Sequence, residues 1–362
     1  MDRATRAVFC GKVQIGGGAP VSIQSMTNTF TEDAEATASQ IEALFSAGAQ
    51  IVRCAAPTIE AANTLREIRS RLEGKGCSVP IVADVHFDYK IALAAISAGA
   101  DKIRINPGNI GGEDRMKAVA DAAGEAGIPM RIGVNGGSIE KDLKELYEKR
   151  PAEALAKSAL KNIETVRAMG FNDIVVSVKS SDVIVNTEAH RLLADKTDLP
   201  LHIGITEAGV GEAAIVKSAA GIGALLAMGI GDTMRVSLTG DPVAEIAVAR
   251  DILRAVKLLP GQITLVSCPT CGRCRVDLGA LCVEAAETLK KIERTRTSDR
   301  PIVAALMGCA VNGPGEASHA DVGVACGADG GVYFEKGVLS RPVKTDEIVS
   351  VLVEGAKSIP EF

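Results

Sequence analysis

The chain has 362 residues, of which 47% are hydrophobic, 23% charged and 3% aromatic with no Trp, at a net charge of -5. That length exceeds one small domain and suits two, and the apolar content excludes a disordered polymer. An acidic balance with few stacking rings argues against nucleic acid as a partner.

Residues 1–18 hold no apolar run of signal-peptide or membrane-span length, so a cytoplasmic protein without membrane association is expected. Thiols stay reduced there, and the nine cysteines, an odd number, read as thiolates rather than disulfides. Along the chain, short β-branched runs alternate with Ala-rich amphipathic stretches. The runs fall at 21–26, 51–55, 81–85, 102–106, 130–134, 174–178, 201–206 and 233–238, with helices such as 33–47, 59–72, 113–126, 152–169 and 242–258 between them. Gly48, Gly127, Gly170 and Gly229 stand where helices end, as C-caps do. Eight strands alternating with helices predict a TIM (β/α)8 barrel over residues 1–260. After Pro260-Gly261 the pattern changes. Strand-like 263–266, helical 277–294, strand-like 302–307, 321–325 and 331–334, and helical 345–357 predict a small α+β domain over 261–362.

Side chains alternate between the inside of a barrel and its helix-facing side. In Arg131-Ile132-Gly133-Val134-Asn135 the apolar residues share one parity and Arg131, Gly133 and Asn135 the other, and the same split recurs on the neighbouring runs. The inward set near the C-terminal strand ends is Arg53, Asp84, His86, Arg104, Asn106, Arg131, Asn135, Lys179, Arg235 and Ser237. One or two such groups would read as buried pairs or loop charges. Five cations at equivalent positions need an anion, because burying uncompensated charge is expensive and Arg forks suit phosphate oxygens. A diphosphate-like ligand is expected. His86 and His202, taken singly, are more often structural than catalytic.

Cys268, Cys271 and Cys274 form C-x2-C-x2-C just after a strand, and Cys309 follows far downstream in Gly308-Cys309. A C-x2-C turn brings two thiolates to one metal centre. No second C-x2-C flanks Cys309, and Leu278 stands where a ferredoxin run would need its fourth cysteine. Cys274 and Cys309 therefore compete for third place, and zinc stays open. Cys10, Cys54, Cys77, Cys282 and Cys326 read as small hydrophobes or incidental thiols.

Ser267-Cys268-Pro269-Thr270-Cys271, with Gly308-Cys309 and Asn312-Gly313-Pro314-Gly315-Glu316, resembles the 4-hydroxy-3-methylbut-2-en-1-yl diphosphate synthase family of the non-mevalonate isoprenoid pathway. Matching strings run through the barrel: Gln24-Ser25-Met26-Thr27-Asn28-Thr29, Ala83-Asp84-Val85-His86, Arg104-Ile105-Asn106-Pro107-Gly108-Asn109, Arg131 to Asn135, and Gly204-Ile205-Thr206-Glu207-Ala208-Gly209. The resemblance implies reductive opening of 2-C-methyl-D-erythritol 2,4-cyclodiphosphate with loss of water, a C-terminal domain of the ferredoxin or sulfite-reductase type, and reduced flavodoxin or ferredoxin as electron donor. It implies a [4Fe–4S] cluster on Cys268, Cys271, Cys309 and Glu316. It places Arg53, Arg104, Arg131, Lys179, Arg235 and Ser237 on the diphosphate. Asp84, His86, Asn106, Asn135, Thr206 and Asn312 would line the cavity, with Glu207 delivering a proton. Cys274 departs from the family pattern. A closed four-thiolate cluster would hinder substrate approach, so it reads as a spectator. A radical enzyme would need C-x3-C-x2-C early in the chain, and an electron carrier or zinc module would have no use for the five cations.

The barrel's last helix returns to the N-terminal face, so a short linker at Pro260-Gly261 starts the second domain a barrel height from the mouth. A homodimer is expected, in which one subunit's barrel and the other's cluster domain share a site.

Overall fold

The computed structural model describes residues 3–309, 315 and 317–359. It separates into two compact units, Met1–Leu258 and Leu259–Phe362. Among the described residues, no helix is long and apolar enough to cross a membrane.

The first unit opens with a hairpin, β1 (Val8–Cys10) and β2 (Val13–Ile15), turning at Gly11-Lys12. Val8, Cys10 and Ile15 pack on Ile51, Val82 and Val175, early residues of barrel strands, so the hairpin plugs the N-terminal end of the barrel. The barrel strands follow: β3 (Ser22–Met26), β4 (Ile51–Ala55), β5 (Ile81–Asp84), β6 (Lys102–Ile105), β7 (Met130–Asn135), β8 (Ile174–Lys179), β9 (His202–Ile203) and β10 (Thr233–Met234). They form one eight-stranded parallel sheet in the order β8-β7-β6-β5-β4-β3-β10-β9. A bridge between Val176 and Leu201 draws its two ends together. This is the expected TIM barrel. The last two strands are shorter than the apolar runs suggest. Arg235 N–H still donates to Ile203 O at 3.0 Å, but Thr206 N–H turns away to Ser180 O at 3.4 Å.

Around the strands lie α1 (Ala34–Ala47), α2 (Ile59–Glu73), α3 (Tyr89–Ser97), α4 (Glu113–Ala126), α5 (Lys144–Lys149), α6 (Pro151–Ala168), α7 (Val183–Ala194), α8 (Gly211–Ala227) and α9 (Pro242–Ala255). Local chemistry fixes where several begin. Asp33, Thr58, Asp88, Asp182 and Asp241 each accept a hydrogen bond from a first-turn backbone N–H, at 2.9–3.0 Å. Each such cap stabilises its helix by about 1 kcal/mol and ends a loop at the C-terminal face of the barrel. The helices bury apolar stripes, such as Ala61, Leu65, Ile68 and Leu72 of α2, against the outward residues of the strands. Each large side chain so buried contributes about 1.5–3 kcal/mol.

The second unit has a five-stranded sheet of β11 (Ile263–Ser267), β12 (Ile302–Met307), β13 (Val322–Gly327), β14 (Gly330–Glu335) and β15 (Val338–Val343), in that order. The first three run parallel, and β14 and β15 return antiparallel. Two helices, α10 (Leu278–Glu293) and α11 (Ile348–Ser358), pack Leu289, Ala285, Leu352 and Ile348 on the face carrying Ile302, Ala304, Leu306 and Val324. The sequence did not announce β15, because its residues are almost all exposed at the sheet edge and show no alternation.

Candidate active site

Strand parity decides what faces the barrel axis. Ser25 Oγ turns outward toward Glu245 of α9, at 3.5 Å, whereas Met26 turns inward. At the C-terminal end a cavity of about 210 Å³ is lined by Arg53, Asp84, His86, Arg104, Arg131, Gly133, Val134, Asn135, Ser177, Lys179, Thr206, Arg235 and Ser237. Ten side chains expected from the sequence thus meet in one place. Asn106 does not line this cavity. Pro107 follows it, and its Oδ1 accepts from Gly108 N–H at 3.2 Å, so its side chain caps its own turn. Asn312 and Glu316 lie outside the described residues. Glu207 is exposed on the loop after β9, with φ 52°, a left-handed conformation uncommon for a residue with a side chain.

Five cations meet two carboxylates. Asp84 is buried and takes Arg104 Nη1 at 3.1 Å, Arg53 Nε at 3.6 Å and His86 Nε2 at 3.5 Å. Burial alone would push the Asp84 carboxyl up, but Arg53, then His86, Arg104 and Arg131 outweigh it and hold it well below the usual carboxylate range. Glu245 is also buried. It faces Arg235 Nε at 3.4 Å and accepts from Leu238 N–H at 3.0 Å. Arg131 is 1% exposed, and its Nε and Nη1 have no hydrogen-bond partner. Burial, followed by Arg53 and Arg104, lowers its pKa well below the ordinary value. Lys179 is lowered likewise by burial and then by Arg131, Arg53, Arg235 and Arg104. Arg53, drawn down to about 10 by burial, is partly rescued by Asp84. An anion in the cavity would relieve this mutual penalty.

Three features escaped the sequence reading. Met26 Sδ accepts from Arg53 Nε at 3.0 Å, Arg53 Nη2 at 2.8 Å and Arg235 Nη1 at 3.3 Å, a soft acceptor holding two forks without neutralising them. Glu245 comes from a helix, where strand parity gives no signal. Gly133 and Gly204 provide room. A Cβ on Gly133 would lie 2.9 Å from Arg104 Nε, and one on Gly204 would lie 2.7 Å from Lys179 Nζ. Glycine at these inward positions lets the long cations reach across the barrel.

The second unit gathers thiols. Ser267 of β11 pairs with Leu306 of β12, so Cys268 and Gly308-Cys309 leave neighbouring parallel strands at the same end. Gly308 N–H donates to Cys268 Sγ at 3.3 Å. Cys274 N–H closes the turn onto Cys271 O at 2.9 Å, and Cys274 Sγ donates to Val276 O at 3.3 Å. Cys271 is exposed, and hydrogen bonds from the Arg273 main chain and then its side chain lower its thiol pKa. All nine cysteines are free, and Cys10, Cys54, Cys77 and Cys326 are buried as expected of small hydrophobes. Among the described residues, no three His, Cys, Asp or Glu side chains stand together as a ready metal site.

The model of the GcpE TIM-barrel domain matches residues 5–250, and that of the GcpE protein C-terminal domain matches residues 264–358. The chain belongs to the GcpE family. Two relatives in it are named 4-hydroxy-3-methylbut-2-en-1-yl diphosphate synthase (flavodoxin). That of Caldanaerobacter subterraneus is 48% identical over 98% of this chain and 97% of its own. That of Bacillus subtilis is 49% identical over 96% of this chain and 89% of its own. The barrel of this GcpE protein is also similar in fold to dihydropteroate synthase from Stenotrophomonas maltophilia. That likeness has a TM-score of 0.51 at 16% identity, over 71% of this chain and 100% of that one.

Proposed function

We propose that this chain is an oxidoreductase that opens 2-C-methyl-D-erythritol 2,4-cyclodiphosphate reductively to 4-hydroxy-3-methylbut-2-en-1-yl diphosphate. One observation carries the reading: a barrel-mouth cavity with five cations against two carboxylates, in a chain nearly half identical, end to end, to enzymes of that name. Two electrons and two protons enter, the ring C–O bond to the diphosphate breaks, and one hydroxyl leaves as water. Reduced flavodoxin, printed in the relatives' names, is the donor assigned here. A cytoplasmic location is part of the proposal.

In this reading Arg53, Arg104, Arg131, Lys179 and Arg235, with Ser237, bind the diphosphate, each charge-assisted contact contributing about 1.5–3 kcal/mol. Asp84 keeps the arginine forks oriented, and His86, Asn135 and Thr206 position the carbon skeleton. Glu207, on its exposed loop, holds the proton that leaves with the hydroxyl. Cys268, Cys271 and Cys309, with Glu316, are assigned to a [4Fe–4S] cluster. The donor set fits such a group: the Gly308 N–H to Cys268 Sγ bond ties the first turn to the residue preceding Cys309, and hydrogen bonds to sulfur are how proteins tune such centres. Cys274, occupied with Val276 O, is left as a spectator. When bound, the cluster supplies low-potential electrons and a Lewis-acidic iron.

The homodimer belongs to the same proposal. Large apolar side chains stand exposed on the segments after the C-terminal strand ends, Phe30 at 86%, Phe87 at 73%, Ile184 at 77% and Val210 at 70%. A partner covering that face explains them. Mixing Arg131→Met with Cys309→Ser and allowing subunits to exchange should restore part of the activity that each variant lacks. Verified exchange without recovery would refute a shared site. The primary test is anaerobic reconstitution followed by turnover of the cyclodiphosphate with dithionite or reduced flavodoxin. The linear allylic diphosphate should appear in step with electrons consumed. Cluster-loaded protein that leaves the cyclodiphosphate intact would overturn the function.

A further inference from the structure

Beneath the mouth the barrel holds Gln24, Lys102 and His202, three buried polar groups that the proposed reaction does not use, beside Arg131, which it does. Gln24, Lys102 and His202 lie two residues before Met26, Arg104 and Gly204, on the same inward parity, and Arg131 lies two before Gly133. Gln24 and Arg131 are 1% exposed, and Lys102 and His202 are 0% exposed. Lys102 Nζ, both ring nitrogens of His202, both amide atoms of Gln24, and Arg131 Nε and Nη1 have no hydrogen-bond partner. The groups sense one another. Burial, then Arg131, Lys179, Lys102 and Arg53, disfavours protonation of His202, while Lys102 is lowered to about 8 by burial, with Cys10 and Asp101 opposing the shift and Arg131 and Arg53 adding to it. The hairpin plug of Val8, Cys10 and Ile15 closes the barrel below.

The unmatched atoms are mostly donors. Among the unpartnered atoms of these four residues, the ammonium, guanidinium, carboxamide and imidazole N–H groups outnumber the acceptors, which are the Gln24 carbonyl and one imidazole nitrogen. The Asp101 carboxylate that acts on Lys102 is taken by Arg69 and by Ile81 N–H at 2.7 Å, and Asp84 is shared by Arg53 and Arg104. Water would satisfy donors and leave the charge, whereas a small anion answers both requirements. We propose that this layer binds a monovalent anion of halide size, held by Lys102 and Gln24 inside the barrel beneath the diphosphate cavity, with Arg131 shared between the two. Such an ion offsets the repulsion among stacked cations before substrate arrives.

The test is diffraction from crystals of the full chain in sodium bromide, measured at the bromine edge with and without pyrophosphate. An anomalous peak beside Lys102 Nζ and Arg131 that persists when pyrophosphate fills the mouth is the expected result. No peak, or a peak confined to Arg104 and Arg235 that pyrophosphate displaces, would overturn the proposal. In solution, chloride in place of gluconate should raise the Tm of the wild-type protein, and Lys102→Met should abolish that dependence. A chloride response undiminished in the variant would count equally against it. Where Lys102→Met fails to fold, the wild-type bromide peak decides alone.

Discussion

The barrel mouth and the thiol end of the second unit achieve convergence by opposite means. At the mouth, groups from strands throughout the barrel are carried inward on a closed sheet whose register fixes every position, and Asp84 and Glu245 clamp the forks at 3.1–3.6 Å. At the thiol end, Cys268, Cys271 and Cys274 sit on a turn, and Cys309 follows Gly308 beyond β12, with one N–H to sulfur bond joining the two. The first arrangement holds unfavourable charge against a closed sheet, which an anion would offset. The second keeps soft donors on short loops, so that bound metal would complete their geometry. Preorganisation therefore belongs to the barrel, and loss of a single group should be felt differently in the two places.

The largest effect is expected at the thiol end. Cys309→Ser should strip iron and sulfide from the reconstituted protein and remove the visible absorption, while Cys274→Ser keeps both. Equal iron loss in the two variants would erase the distinction between ligand and spectator. At the mouth, Asp84→Asn leaves Arg53 and Arg104 without their shared carboxylate and should cost about 3–5 kcal/mol of stability, partly recovered by pyrophosphate. The pH dependence has a defined sign. Because the folded Asp84 pKa lies below its unfolded value of about 3.9, its contribution is present above that pH and is lost as pH falls toward the folded value. Acid unfolding of Asp84→Asn should therefore lack that component, and superimposable stability-against-pH curves would contradict the clamp.

Arg104→Met should weaken pyrophosphate binding by about 1.5–3 kcal/mol, roughly 10- to 150-fold, without changing iron content. Calorimetric titration showing unchanged affinity would remove Arg104 from the anion site. Gly204→Ala brings a Cβ to 2.5 Å from Arg235 O and 2.7 Å from Lys179 Nζ. The backbone cannot yield there as a side-chain tip can, so about 1–3 kcal/mol of stability should be lost, measured by denaturant unfolding. Gly133→Ala meets only the flexible Arg104 guanidinium and should cost less. The reverse order would show that the Arg235 carbonyl does not constrain position 204.

Much of the barrel was legible because two periods speak at once. Residues 102–106 and 130–134 alternate in chemistry along the strand, and the helices between them repeat every three to four residues. The observed β6 and β7 end within one residue of those runs. The hairpin β1–β2 was missed because three residues per strand are too few for a pattern. Parity reports which way a strand residue faces but not what its side chain binds, and Asn106, still extended, uses its Oδ1 to cap the turn at Gly108.

The sequence by itself determined the barrel, the separate α+β unit and the cations on the inward parity, since these follow from local periodicity and chain order. Only the tertiary structure decided that those cations share one cavity, that Met26 and a helix residue, Glu245, hold them, and that Gly133 and Gly204 leave room for them. It alone revealed the unpartnered layer of Gln24, Lys102, Arg131 and His202 beneath. The physical reason is that charge balance and free volume are sums over groups distant in the chain, and closing the barrel brings those groups together.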